Sequence, residues 1–136
     1  DASDGLQRTP VFAAAFCNQP ESLAFLLDKG GNANARDALG LSPLHAAVVM
    51  GGQSAAKVLA EKGAKLDSKT PGGRTPLHLA AATGQGPMVA LLLAKGASTG
   101  IVDRDGRNAS DLAAKNGHSD LAAKIRNAKT RGLPQK

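Results

Sequence analysis

The dominant constraint in this chain is a period. Thr9-Pro10, Ser42-Pro43, Thr75-Pro76 and Asn108-Ala109 stand 33 residues apart. Three further registers keep that interval: Gly40, Gly73 and Gly106; Gly30, Gly63 and Gly96, each after a lysine; and Asn18, Gly51, Gly84 and Gly117. A repeat of this length is one supersecondary unit that cannot bury its apolar face alone, so neighbours must stack into a continuous core. The composition agrees. The 136 residues include no Trp, no Tyr and only three Phe. Ala, Leu, Val and Gly must fill the interior, which suits thin layers of closely packed helices.

Local chemistry places the helix ends. Ser42 and Thr75 are N-caps whose hydroxyls accept from first-turn N–H groups, and the proline after each has its φ already set for a helix. That helix is expected to close at Gly51, Gly84 and Gly117, where glycine turns left-handed without a Cβ clash; Asn18 does the same less comfortably. A second helix in each unit carries larger apolar residues: Leu23, Leu26 and Leu27; Val58 and Leu59; Met88, Val89, Leu91, Leu92 and Leu93. These read as mostly core. In the last unit only Leu121 and Ile125 remain, beside Lys124 and Arg126, which predicts a wet outer face.

The motifs Ser42-Pro43-Leu44-His45-Ala46-Ala47 and Thr75-Pro76-Leu77-His78-Leu79-Ala80-Ala81 resemble the ankyrin signature, and the period resembles its repeat length. The resemblance covers units of about 5–37, 38–70, 71–103 and 104–136. The end units depart most, with Val11-Phe12 in place of Leu-His and Asn108-Ala109-Ser110-Asp111 in place of Thr-Pro-Leu-His. Capping repeats need such departures, because each packs on one neighbour only. The resemblance implies a single all-α domain over 1–136, an ankyrin-repeat solenoid. It would consist of four helix-turn-helix repeats with short hairpin loops near 37–41, 70–74 and 103–107. It also implies that His45 and His78 are struts that hydrogen-bond backbone between units, with His118 structural in its turn.

The residue inventory argues against chemistry. Cys17 is the only cysteine, which excludes an intramolecular disulfide and a multi-cysteine metal site. No Cys, Asp or Glu shares the register of His45 and His78. The chain shows no paired carboxylates at a plausible cleft, no nucleophile elbow and no phosphate loop, so neither enzyme activity nor a cofactor or metal is expected. Asn108-Ala109-Ser110 matches a glycosylation triplet but reads better as a substitute N-cap. No apolar run approaches the ~18 residues of a membrane span. Of the net charge of +6, Lys124, Arg126, Lys129, Arg131 and Lys136 supply +5, with no acid from residue 124 onwards. That stretch reads as a solvated end of the stack. Nucleic-acid binding through it is the weaker reading, since no stacking aromatics accompany it.

The family's cupped shape implies a partner in the concavity, whose lining follows from register. Phe16, Cys17, Val49, Met50, Thr83 and Lys115 lie at the ends of the first helices; Leu6, Arg8, Leu39, Leu41, Arg74 and Arg107 lie in the hairpins. Phe16, Leu39, Leu41, Val49 and Met50 would make an apolar patch, while Arg74 and Arg107 could each clamp a carboxylate. The expected partner is another protein with an apolar knob beside acidic groups, bound by a chain that is monomeric alone. One small face favours an inhibitor or regulator over an adaptor that must hold two partners. The size, Ala-rich make-up and Met-less Asp1-Ala2 start resemble small exported bacterial ankyrin proteins, including those that shield predatory bacteria from their own peptidoglycan endopeptidases. That resemblance implies a periplasmic inhibitor of a cell-wall peptidase; a cytoplasmic location is the alternative that the residues leave open.

Overall fold

The computed structural model describes residues 8–132, with side chains to residue 128. Among the described residues there are eight helices and no strand: α1 Pro10–Phe16, α2 Pro20–Asp28, α3 Pro43–Val49, α4 Gln53–Glu61, α5 Pro76–Ala82, α6 Gly86–Ala94, α7 Ala109–Lys115 and α8 Ser119–Gly132. The caps form as the sequence predicts. Thr9, Ser42, Thr75 and Asn108 each accept from the backbone N–H of the third helical residue. In α3 and α5 the box closes reciprocally, because the histidine at that third position accepts from the N-cap N–H.

Each inner helix ends in a Schellman turn. The N–H of Gln19 reaches Ala14 O at 2.9 Å and that of Asn18 reaches Ala15 O at 3.1 Å, with Asn18 at φ 53°; the same pattern recurs at Gly51, Gly84 and Gly117. Asn18 does more than close its helix. Its Oδ1 accepts from Ala55 N–H at 3.0 Å, so it caps α4, whose own N-cap is Gly52 and offers no side chain. A Cβ on Gly52 would stand 2.8 Å from that oxygen. The glycine and the asparagine therefore require each other. In the same way a Cβ on Gly84 would fall 2.6 Å from the ring of His118, which packs on that turn from the next layer.

Helices α1, α3, α5 and α7 form an inner row, and α2, α4, α6 and α8 an outer row. At every step the inner pair contacts more extensively than the outer pair, so the stack curls towards the inner row. The cause is side-chain size. Ala14, Ala15, Ala47, Ala80, Ala81 and Ala113 are buried between layers and let inner backbones approach closely. Leu23, Leu59, Met88 and Leu92 are fully buried beneath the outer row. Leu26, Leu27, Val58, Leu91 and Leu93 are only half-buried, so the second helices are less uniformly core than their composition suggests.

The two histidines bridge the layers. His45 Nδ1 receives the Ser42 N–H at 3.2 Å, which leaves Nε2–H to donate to Arg74 O at 3.0 Å, 29 residues on. His78 repeats this with the Thr75 N–H and Arg107 O. A second proton would have to sit on Nδ1 and face a backbone donor. Burial above all pushes the pKa of His45 from 6.5 down to about 4, and lowers that of His78.

Candidate protein-binding face

The hairpins are built before the face that they border. Asp37 N–H bonds Leu41 O, and the buried Asp37 carboxylate accepts from the N–H groups of Leu39 and Leu41 at 2.9 and 3.0 Å. Asp103 does the same for Asp105 and Arg107, and Thr70 Oγ1 accepts from Arg74 N–H. The Arg107 N–H is the first cause of the lowered pKa of Asp103. These turns set the tips at the expected 37–41, 70–74 and 103–107.

Around this frame three exposed apolar residues belong to the second unit, next to half-buried Phe16 of the first. Leu39, Val49 and Met50 are 55%, 55% and 52% exposed, large values for side chains of this type on a folded protein. Leu41 is half-buried beside its hairpin, and Phe16 is half-buried with the Arg8 guanidinium 5.2 Å from its ring centre. Arg8 also stands 5.0 Å from the ring of buried Phe12, so the aromatic edge is held in place before any partner arrives. Cys17 is exposed at the end of α1. The third and fourth layers present exposed Thr83 and Lys115 in the corresponding places.

The arginines differ from expectation. Arg74 Nε donates to Asp103 Oδ2 at 3.2 Å and Arg8 Nε to Asp37 Oδ2 at 3.3 Å, each pair joining one unit to the hairpin of the next. Arg107 lies 3.7 Å from Asp105. The residue before the N-cap reaches the next hairpin's buried acid, so the arginine edges facing those acids are already occupied. Sequence register showed their place but not this internal partner. Leu6 lies outside the described residues, as do the side chains of Lys129, Arg131 and Lys136.

Two exposed apolar residues were not singled out from the sequence. Phe25, 60% exposed with Lys29 Nζ 5.5 Å from its ring, lies on α2 of the outer row, away from the inner-row hollow, the palm; Val102, 50% exposed, directly precedes the last hairpin. A comparison of units offers a signal for the first. Phe25 shares its register with half-buried Val58 and Leu91, and among the described residues no earlier layer covers it.

Among the described residues no helix is long and apolar enough to cross a membrane. A family model described as ankyrin repeats (3 copies) matches residues 1–70 and 66–130. Among curated proteins, none matches the chain.

Proposed function

Because the chain belongs to the ankyrin-repeat family, whose repeats are protein–protein interaction modules and generally not enzymes, we propose that it binds a partner protein in the hollow of the inner helix row. The observation that carries this reading is the apolar patch of Leu39, Val49 and Met50 beside the Arg8–Phe16 stack. Such patches on a polar surface are suited to desolvated contact, and methionine adapts its shape to the surface that it meets. A protruding apolar side chain fits the patch, and carboxylates beside it would meet Arg74 and Arg107, whose side chains stay 38% exposed beside their internal acids. One face of this size occupies a single partner, so the proposed outcome of binding is to block or regulate that partner. The exported-protein resemblance proposes a peptidoglycan endopeptidase held inactive in the periplasm.

The test is comparative capture from the source cell, followed by affinity measurement with the purified partner. Phe16→Ala is expected to weaken binding about ten-fold or more, since the ring buries area worth on the order of 2 kcal/mol. Leu41→Asp and Met50→Asp should weaken it further, because each would desolvate a carboxylate against an apolar surface. Parental affinity in folded variants would remove the palm as the site. Inhibition of purified muralytic endopeptidase by the parent, and not by Met50→Asp, would support the narrower reading.

A further inference from the structure

The outer row is tied by rungs that stop one layer early. Lys62 Nζ lies 2.7 Å from Asp28 Oδ1, joining α2 to α4, and Lys95 Nζ lies 3.6 Å from Glu61 Oε2, joining α4 to α6. At the third step the same register holds Ala94 and Ala128. A second ladder ends there too. Asn34 Oδ1 accepts from Lys65 N–H and Asp67 Oδ1 from Ser98 N–H, but the next residue in that register is Gly100. No rung in this register joins α6 to α8, and small Gly86, Ala90 and Ala94 line the facing side of α6. A groove of about 660 Å³ opens between the two helices, floored by Val89, Leu93 and Leu121 and edged by Lys124 and Asn127.

Helix α6 is anomalous for an outer helix. From Gly86 to Ala94 it has no charged residue, whereas α2 carries Glu21 and Asp28 and α4 carries Lys57 and Glu61. A helix apolar all round is normally covered on all sides. Here Ala90 and Ala94 are exposed and Leu91 and Leu93 half-exposed. Its neighbour α8 has the opposite character, with Lys124 and Arg126 against a single Asp120 among its described side chains.

We propose that the α6–α8 groove is a second docking site, separate from the palm, that takes the apolar stripe of an acidic amphipathic helix from a partner protein. Side chains at i, i+3 and i+4 of such a helix would enter between Val89, Leu93 and Leu121, while a flanking carboxylate meets Lys124 at the groove's edge. Charge disfavours a second copy, because a two-fold pairing through this face would set one α8 against another. An apolar floor disfavours nucleic acid, which would leave Val89 and Leu93 against phosphates.

The test is an isotope-edited NMR titration of the full chain with a synthetic helix of about five turns that bears leucines at i, i+3, i+4 and i+7 between glutamates. A matched peptide with lysines for glutamates is the control. The acidic peptide should bind saturably, shift the amides of Ala90, Leu93, Ala94 and Lys124, and lose affinity as salt rises. Lys124→Glu should weaken it by about ten-fold while admitting the basic peptide. Ala94→Glu combined with Ala128→Lys installs the missing rung and should abolish binding in a folded chain. No saturable shift on α6 and α8, equal binding of both peptides, or shifts confined to the palm would overturn the proposal. So would self-association through this face in sedimentation, or a groove already filled by residues 133–136 of the chain itself.

Discussion

Asn18 shows how one side chain serves two layers. It is the one non-glycine residue with positive φ among the described residues, a conformation in which asparagine is tolerated and alanine is strained. It also supplies the cap that Gly52 cannot give to α4. Asn18→Ala loses both contributions and should cost about 1–2 kcal/mol in chemical denaturation. Asn18→Gly keeps the turn and loses only the cap, so its cost should be smaller. Gly52→Ser should destabilise the parent, whose Asn18 oxygen occupies the space, but should be tolerated or even stabilising beside Asn18→Gly. If the two substitutions instead add independently, Asn18 is not the cap of α4. The occupied arginines belong to this scale as well. Arg74→Ala should lower stability as well as slow any binding, because it removes the cationic partner of Asp103 Oδ2 and leaves that carboxylate only the Asp105 and Arg107 N–H groups.

At the scale of elements, the short inner helices and the longer outer ones differ in what holds them. An inner helix of seven residues is too short to be stable alone, so its caps and the layers on either side decide whether it forms. The outer helix α6 depends on Leu92, which is fully buried. Leu92→Ala should cost roughly 2–5 kcal/mol, the usual range for a cavity of that size. Lys115→Ala, on an exposed side chain, should change stability by less than about 0.5 kcal/mol. Similar melting shifts for the two would mean that Leu92 does not sit in the core.

Over the whole molecule, His45 and His78 make the stack sensitive to acid. Each folded-state pKa lies below the unfolded value, so the unfolded chain takes up protons that the folded chain refuses. Their contribution is therefore fully present above pH 6.5 or so and is lost as pH falls. For His45 the window runs from 6.5 to about 4, and the loss across it is about 3 kcal/mol. Urea unfolding at pH 7 and pH 4.5 would measure it. His45→Gln should flatten the pH dependence, whatever it does to stability at neutral pH. An unchanged slope would place the acid sensitivity elsewhere. The lowered pKa of Asp103 acts in the same direction at lower pH, since its stabilisation disappears as the carboxylate protonates.

The period, the caps and the turn glycines made the helical solenoid legible from sequence, because those signals act over a few residues and repeat four times. The exposed Leu39, Val49 and Met50 followed from the same register, since a repeat places equivalent positions on one face. Beyond the histidine struts that the family resemblance implied, the sequence could not show which side chains reach across layers. Arg8 to Asp37, Arg74 to Asp103 and Asn18 to Ala55 join residues 29 to 37 apart, and such pairings exist only once stacking has set the distance between units. The α6–α8 groove is likewise a property of two helices and the missing rung between them. Its ingredients, Ala94, Ala128 and an uncharged α6, stand in the sequence as ordinary small and apolar residues. Only the packing of one layer on the next turns them into an opening.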